Sequence, residues 1–376
     1  MNIFAFGSSI TSSYWNGAAT YYRGCYKYLA RLGHTIVFAE PDAYGRQQHR
    51  DDGDVSFVES VVYEPGSGTD AVLRRASSAD VVIKHSGLGV EDELLEQRVL
   101  DCAAQSVICF WDVDAPATIE RLRANPKDPF REAIPEYDAI FTYGGGPAIQ
   151  DAYRNLGART YSSIYNGLDV ETHHPVPPLN QFACDVAFVG NRLPDREARV
   201  EQFFLKAAEL APDKSFLLGG EGWQGKRMPG NVRWIGHVPT ALHNAVNCSA
   251  GMVMNINRAS MADCGFSPPT RVFEAAGAGA CLLCDEWPGI EIFFAPGREL
   301  IVIRSAEDVA GALATHDGAR RAEMGNAFRS RALRDHTYAQ RADEIQAALL
   351  DCLRKKRATR PLPAAARAAA MTGEPA

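Results

Sequence analysis

The stretch that decides the fold is SPPTRVFEAAGAGACLLCDEWPGIEIFF, residues 267–294. Ser267 and two prolines open it, a run with helical spacing follows, and two glycines separate that run from the apolar ACLLCD. This order predicts a helix from Ser267, as its N-cap, to about Ala276, and a buried strand after it. Inside the helix, one carboxylate, Glu274, lies among small and apolar residues.

The carboxylate shares one face of the predicted helix with Ser267 and Arg271, because residues spaced by three, four and seven lie on one side. A helix N-terminus that follows a strand can bind an anion. A carboxylate one or two turns further along can accept hydrogen bonds from both hydroxyls of a ribose. The segment is therefore a candidate nucleotide site. The alternative is a plain Glu274–Arg271 ion pair, and the spacing alone leaves both readings open.

Short apolar runs alternate with amphipathic stretches on both sides of a Pro- and Asn-rich segment, residues 165–183. This alternation predicts an α/β protein with two Rossmann-like parallel-sheet domains, residues 1–175 and 176–355, facing each other across a cleft. One long helix is expected over residues 320–355. The Ala- and Pro-rich residues 356–376 are expected to be a disordered tail.

Composition excludes some functions. The chain has 46 acidic and 39 basic residues, a net charge of −7, which argues against nonspecific nucleic-acid binding. No apolar run approaches the ~20 residues that span a bilayer. The nine cysteines form no regular frame and predict free thiols in a reducing cytoplasm.

Three motifs carry a family resemblance. Residues 268–309, from PPTRVFEAAGAG to RSAEDV, resemble the C-terminal signature of family 4-like GT-B glycosyltransferases, and most of all the spore-maturation CgeB-like branch. YNGLDVETHHP, residues 165–175, is similar to the linker of these enzymes. FVGNRLPDRE, residues 188–197, is similar to the strand and loop that open their donor domain.

The resemblance implies a GT-B fold in which Glu274 binds the ribose of a nucleotide-sugar donor and the last helix crosses back to the first domain. In the family the opening loop faces the donor diphosphate with an arginine and a lysine. Arg192 and Arg196 are the nearest residues here, with Arg192 one position out of register. Lys226 and Arg258, each of which follows a strand, are further candidates for the diphosphate.

Two more predictions concern the first domain. In the resembled fold the loop after the first strand lies over the donor phosphates, where Gly17 would permit close approach and Asn16 would donate hydrogen bonds. His85, at the carboxyl end of a strand, is the candidate catalytic histidine; the alternative is a structural histidine. The family's second glutamate, which commonly touches the transferred sugar, is replaced by Phe266.

The function predicted is transfer of a sugar from a nucleotide-sugar donor, a UDP-sugar, to an unidentified acceptor. The resemblance implies a metal-independent, anomer-retaining reaction without a cofactor. Two rivals remain open: a non-catalytic nucleotide-sugar-binding maturation or coat protein, and a GT-B epimerase or hydrolase acting on UDP-sugars.

Overall fold

The computed structural model describes residues 1–14, 16–51 and 53–359. The first domain contains a seven-stranded sheet in the order β3-β2-β1-β4-β5-β6-β7, and every strand pair is parallel. Its strands are β1 Asn2–Phe6, β2 Thr35–Pro41, β3 Glu59–Tyr63, β4 Val81–His85, β5 Val107–Asp112, β6 Ala139–Thr142 and β7 Tyr161–Ser163. Its helices are α1 Ala19–Arg31, α2 Thr69–Ala76, α3 Asp92–Arg98, α4 Ala115–Ala124, α5 Phe130–Ala133 and α6 Gly146–Asn155.

The second domain contains a six-stranded parallel sheet in the order β10-β9-β8-β11-β12-β13. Its strands are β8 Cys184–Val189, β9 Phe216–Gly219, β10 Val232–Trp234, β11 Ala250–Asn255, β12 Leu282–Asp285 and β13 Ile301–Ile303. Its helices are α7 Pro194–Val200, α8 Lys206–Leu210, α9 Thr240–Ser249, α10 Ala259–Cys264, α11 Thr270–Ala278, α12 Ile290–Phe293 and α13 Ala306–Thr315. Two C-terminal helices follow, α14 Gly318–Asp335 and α15 Tyr338–Thr359. A π-helical segment, Glu201–Leu205, joins α7 to α8.

The predicted class, two parallel-sheet α/β domains, is confirmed. Apolar side chains cover both faces of each sheet, as expected for parallel strands buried on both sides. The domain boundary predicted after residue 175 falls between the last strand of the first sheet and the first strand of the second. All nine cysteines are free thiols. Within the described residues, no helix is both long and apolar enough to cross a membrane.

The single long helix expected over residues 320–355 is wrong, because the chain breaks between α14 and α15. At the break, the carbonyl of His336 accepts a hydrogen bond from the amide of Leu168 at 2.7 Å, and the amide of Tyr338 donates to the carbonyl of Leu168 at 3.0 Å. The linker therefore supplies backbone partners that a continuous helix would exclude. Because of this break, α15 leaves the second domain and packs on the first.

Helix α15 is part of the first domain's core. Its apolar residues Tyr338, Ala342, Ile345 and Leu349 are buried in one cluster with side chains of α1 and the first sheet. The last four residues of α15 belong to the segment predicted as a disordered tail, so the helix extends further than expected. The rest of that segment, residues 360–376, lies outside the described residues.

Asn166 joins the linker to both domains. Its side-chain amide donates to the hydroxyl of Tyr143 at 2.5 Å and to the carbonyl of Pro268 at 3.0 Å, and its side-chain oxygen accepts from the hydroxyl of Tyr338 at 3.1 Å. Asn166 is fully buried. These hydrogen bonds are therefore shielded from bulk water.

We predict that Asn166→Ala lowers the free energy of unfolding by about 2–3 kcal/mol, because it leaves the buried hydroxyl of Tyr338 without its side-chain acceptor and removes one of the two hydrogen bonds to the carbonyl of Pro268. Chemical denaturation followed by far-UV circular dichroism measures the change. The exposed Asn326→Ala on α14 is the matched control and should change stability by less than about 0.5 kcal/mol. Equal effects of the two substitutions would contradict this role for Asn166.

Candidate functional site

A cavity of about 410 Å³ opens at the carboxyl edge of the second sheet. It lies where β8 has β9 on one side and β11 on the other, so that the connections diverge and leave a crevice between the strand ends. Gly190 and Asn191 follow β8, and Asn255 and Asn257 end or follow β11; all four line the cavity. Such switch points are the usual ligand sites of open α/β sheets.

The cavity wall at β9 depends on one glycine. Gly220 follows this strand with φ +118°, and a Cβ atom there would lie 2.2 Å from the carbonyl oxygen of Gly190. Only glycine permits this conformation and this approach. Two neighbouring wall residues, His237 and Val238, come from the loop after β10. Backbone groups of three strand-end loops therefore meet at this end of the cavity.

Two arginines give the cavity its charge. Arg196, in the first turn of α7, and Arg271, in the first turn of α11, both line the wall. Burial lowers the pKa of Arg196, and the neighbouring positive charge of Arg271 lowers it further. Its Nε atom is shielded from solvent and has no hydrogen-bond partner among the described residues. No carboxylate of the described residues is therefore hydrogen bonded to this Nε atom.

Glu274 lies one turn further along α11, with 8% of its surface exposed. Its Oε2 atom is 3.4 Å from Nδ1 of His243 and 3.6 Å from Nη1 of Arg271. Burial opposes ionisation, but Arg271, His243 and His173 together hold the pKa of Glu274 well below its usual range. Glu274 is thus a charged carboxylate beside the cavity, and both of its nearest partners, His243 and Arg271, line the cavity wall.

A buried acid beneath the cavity supports the wall at β11. Asp285, at the end of β12, accepts a hydrogen bond from Arg199 at 2.6 Å, from the amide of Asn257 at 2.9 Å and from the side chain of Asn255 at 3.2 Å. Three residues of this site, Asp285, Arg199 and His243, were not predicted from the sequence. Only Asp285 was marked in the sequence, as a polar residue at the end of a run that reads as a buried strand. Its hydrogen-bond partners come from other elements and could not be identified from the sequence.

The start of α11 differs from the prediction. The helix begins at Thr270 with Pro269 as its N-cap, so Ser267 does not cap it. A residue that precedes proline disfavours the helical conformation, and two consecutive prolines therefore delay the helix. Ser267 is buried against the first domain, where a Cβ atom on Gly144 would lie 2.3 Å from its hydroxyl oxygen.

Three other predicted donor-binding cations do not line the cavity. Arg192 and Lys226 both pair with Glu197 at 2.7 Å, on the outer side of α7. Arg258 pairs with Asp195 at 2.6 Å and is about half exposed beside the cavity residue Asn257. Of the cations predicted from the sequence, the structure brings together Arg196 and Arg271.

The loop after β1 is structured by its own side chains. The amide of Asn16 donates to the carbonyls of Ser9 and Ser12 at 2.7 and 3.0 Å, and its oxygen accepts from the hydroxyl of Ser8 at 2.8 Å. Asn16 therefore has no free amide group for a ligand, contrary to the expectation. Gly17 is exposed, and no atom of the described residues outside its immediate chain neighbours lies within 4 Å of the position of its missing Cβ. Close backbone packing does not explain this glycine.

His85 lies in the first domain's core and not on the cleft. It is fully buried, its Nε2 atom is hydrogen bonded to the hydroxyl of Tyr26 at 2.6 Å, and aromatic rings, among them Tyr22 and Trp111, surround it. Burial lowers its pKa far below the ordinary value. The structure therefore contradicts a catalytic role for His85 and favours the structural alternative.

Comparison with known proteins supports the fold. Residues 196–347 match the family model described as glycosyl transferase-like. HepE from Anabaena, in complex with UDP and glucose, is 14% identical, with a TM-score of 0.64 over 93% of this chain and 99% of that one. Sucrose-phosphate synthase from Thermosynechococcus elongatus is 13% identical, with a TM-score of 0.62 over 92% and 98%. No curated protein gives a significant match.

A third structure, an α-glucosyltransferase in complex with UDP-glucose and DNA, is 13% identical, with a TM-score of 0.66 over 93% of this chain and 98% of that one. These likenesses confirm the predicted GT-B fold. The family match confirms the predicted glycosyltransferase class for the second half of the chain. The matched segment begins at Arg196 and contains Arg271 and Glu274. The CgeB-like branch stays a prediction.

We predict that Arg196→Met leaves the melting temperature of the free protein unchanged or slightly higher, because the substitution removes a cation that burial disfavours. The same substitution should weaken the binding of inorganic pyrophosphate by about 10- to 100-fold, the value of one or two charge-assisted hydrogen bonds. Differential scanning fluorimetry and calorimetry measure the two effects.

The matched control for Arg196→Met is Arg192→Met, which removes a partly exposed arginine outside the cavity. It should leave pyrophosphate binding within about twofold of the wild type. Equal losses in the two variants would show that the anion does not bind in the cavity.

Proposed function

We propose that this protein is a glycosyltransferase that transfers a sugar from a UDP-sugar to a hydroxyl group of an acceptor. One observation carries the proposal: Arg196 and Arg271 line the switch-point cavity, and the buried carboxylate of Glu274 lies beside it, in a domain that matches a glycosyltransferase family model. The first domain would bind the acceptor across the cleft from this cavity.

We propose one orientation for the donor in the cavity. Its diphosphate would lie at the N-terminus of α11, where the free backbone N–H groups, Arg271 and Arg196 provide positive charge. Its ribose hydroxyls would donate to the carboxylate of Glu274. The base would then lie near Gly220, His237 and Val238. UDP is the proposed nucleotide because HepE and the α-glucosyltransferase of similar fold are described with UDP or UDP-glucose.

The reaction is proposed to need no metal ion and to retain the anomeric configuration. The bond between the anomeric carbon and the diphosphate oxygen breaks, a bond to the acceptor oxygen forms on the same face, and the acceptor proton passes to the leaving phosphate. Arg196, Arg271 and the helix N-terminus would stabilise the charge that develops on the diphosphate. Arg258 lies beside this position and could join them after releasing Asp195.

The cellular compartment and the class of acceptor are proposed from the free cysteines and the net charge. Nine free cysteines favour a reducing compartment such as the cytoplasm. The net charge of −7 favours an acceptor other than nucleic acid. The proposed partners are therefore the nucleotide sugar and an acceptor that is a small molecule, a glycan or a protein.

A second candidate, a nucleotide-sugar-binding protein without turnover, is favoured by Phe266. This residue has φ +49°, and its ring lies where Cβ atoms on Gly146 of the first domain and Gly289 of the second would be placed, at 2.3 Å from each. It therefore fills a contact between the domains where the resembled enzymes have a glutamate. Hydrolysis or transfer of the bound sugar distinguishes the two candidates.

The donor site is tested by Glu274→Gln, which keeps the shape of the side chain but removes its charge. Calorimetry with UDP-, GDP- and ADP-sugars should show tightest binding of a UDP-sugar to the wild type, and binding about 10- to 100-fold weaker in the variant. Glu307→Gln, on the exposed side of α13, is the control and should bind like the wild type. Absence of nucleotide-sugar binding would contradict the proposed function.

The stereochemical course is tested on turnover. With an α-linked UDP-sugar and an acceptor found by screening, proton NMR of the product should show an α-linkage. A β-linkage would contradict retention, while the proposed donor site would stand.

A further inference from the structure

Two buried hydrogen-bond donors of the cavity wall have no partner among the described residues. One is Nε of Arg196, and the other is Nδ2 of Asn257, a residue with 2% of its surface exposed. Arg196 lines the cavity from α7, and Asn257 lines it from the loop after β11. A buried donor without a partner costs about 1–3 kcal/mol. This part of the wall therefore favours a ligand that offers acceptor oxygens.

The orientation of the Asn257 amide is set by Asn255. Its Oδ1 atom accepts a hydrogen bond from the side-chain amide of Asn255 at 3.4 Å. If the Asn257 amide were reversed, two NH2 groups would face each other, and neither can accept. The oxygen of Asn257 is therefore held toward Asn255, and its NH2 group is left for another partner.

The orientation of Asn255 is set in turn by Asp285. Nδ2 of Asn255 donates to Oδ1 of Asp285 at 3.2 Å and lies 3.7 Å from the thiol of Cys284. Oδ2 of Asp285 accepts from Arg199 at 2.6 Å and from the backbone amide of Asn257 at 2.9 Å. Burial raises the pKa of Asp285, and these two donors limit the rise. A carboxylate only accepts hydrogen bonds, so it fixes which end of the Asn255 amide faces it.

We propose that Asn257 binds the diphosphate of the donor, and that Asp285 is a positioning residue that acts through Asn255 to keep the Asn257 NH2 group available to phosphate oxygens. The inference rests on the proposed function and adds an uncharged donor to Arg196 at the same site. Burial lowers the pKa of Arg196, and Asp285 lies near enough to oppose that lowering, so the two donors are close together. Asp285 does not line the cavity, and its effect on the ligand is indirect.

The binding role of Asn257 is tested with inorganic pyrophosphate and with UDP-glucose, by calorimetry at pH 8. Asn257→Leu has nearly the same size but no donor, and it should bind both probes about 10-fold more weakly than the wild type. Asn257→Asp replaces the donor by a charged acceptor and should bind about 100-fold more weakly. Asn326→Asp makes the same change in net charge on the exposed side of α14 and should stay within about twofold of the wild type.

The positioning role of Asp285 is tested by Asp285→Asn, for which charge and orientation predict opposite results. Loss of a negative charge near an anion site, by itself, strengthens anion binding. An amide at this position can donate as well as accept, so it no longer fixes Asn255 and Asn257, and pyrophosphate should bind about 5- to 10-fold more weakly. Tighter binding would overturn the role of Asp285.

A double variant separates this role from a general structural effect. Because Asp285 acts through Asn257, Asp285→Asn should cause no further loss of pyrophosphate binding in the Asn257→Leu background. The same loss in both backgrounds would overturn the assignment. Melting temperatures show whether each variant is folded.

The wild type gives a readout that does not depend on the stability of Asp285→Asn. In protein labelled with 15N-asparagine, the side-chain amide signals of Asn257 are those missing from Asn257→Leu, and they should shift when pyrophosphate is added. Equal pyrophosphate affinity in the wild type and Asn257→Leu would overturn the inference, and the proposed function would stand if Glu274→Gln still weakened UDP-glucose binding. No binding of either probe to the wild type would overturn both.

Discussion

The carbonyl oxygen of Pro268 is the point at which the two domains and the linker are fastened together. It accepts hydrogen bonds from the hydroxyl of Tyr143, in the first domain, and from the side chain of Asn166, in the linker. Because Pro268 lies two residues before α11, these bonds fix where that helix begins. The positions of Arg271 and Glu274, and so the shape of the cavity, depend on a contact outside the donor domain.

The architecture could be predicted from local sequence because it depends on local properties. Apolar runs of four to six residues separated by amphipathic stretches are enough to place parallel strands and the helices between them. The cluster of Arg271 and Glu274 was also accessible, since residues three apart on one helix share a face. The N-cap of α11 lies two residues later than predicted, at Pro269 instead of Ser267, because a proline disfavours the helical conformation of the residue before it.

The remaining site could not be predicted because its partners are distant in sequence. The residues next to Asn16 in sequence do not indicate that its side-chain amide donates to the carbonyls of Ser9 and Ser12. Those next to His85 do not indicate that Tyr26 and Trp111 surround it. A histidine at the end of a strand faces either the cleft or a packed helix. In this chain, α1 and the returning α15 cover that face, and the break that allows α15 to return is set by the linker.

Phe266 limits which groups of this site can form hydrogen bonds to a transferred sugar. An acid at this position in the resembled enzymes commonly touches the transferred sugar, but a phenyl ring accepts no conventional hydrogen bond from a hydroxyl group. Its ring packs against Gly146 of the first domain and Gly289 of the second. It therefore adds a contact between the domains two residues before Pro268, whose carbonyl oxygen is hydrogen bonded to Tyr143 and Asn166. The hydrogen bonds to the sugar must then come from other groups. Asp263, exposed on α10 three residues earlier, is the nearest acid in sequence.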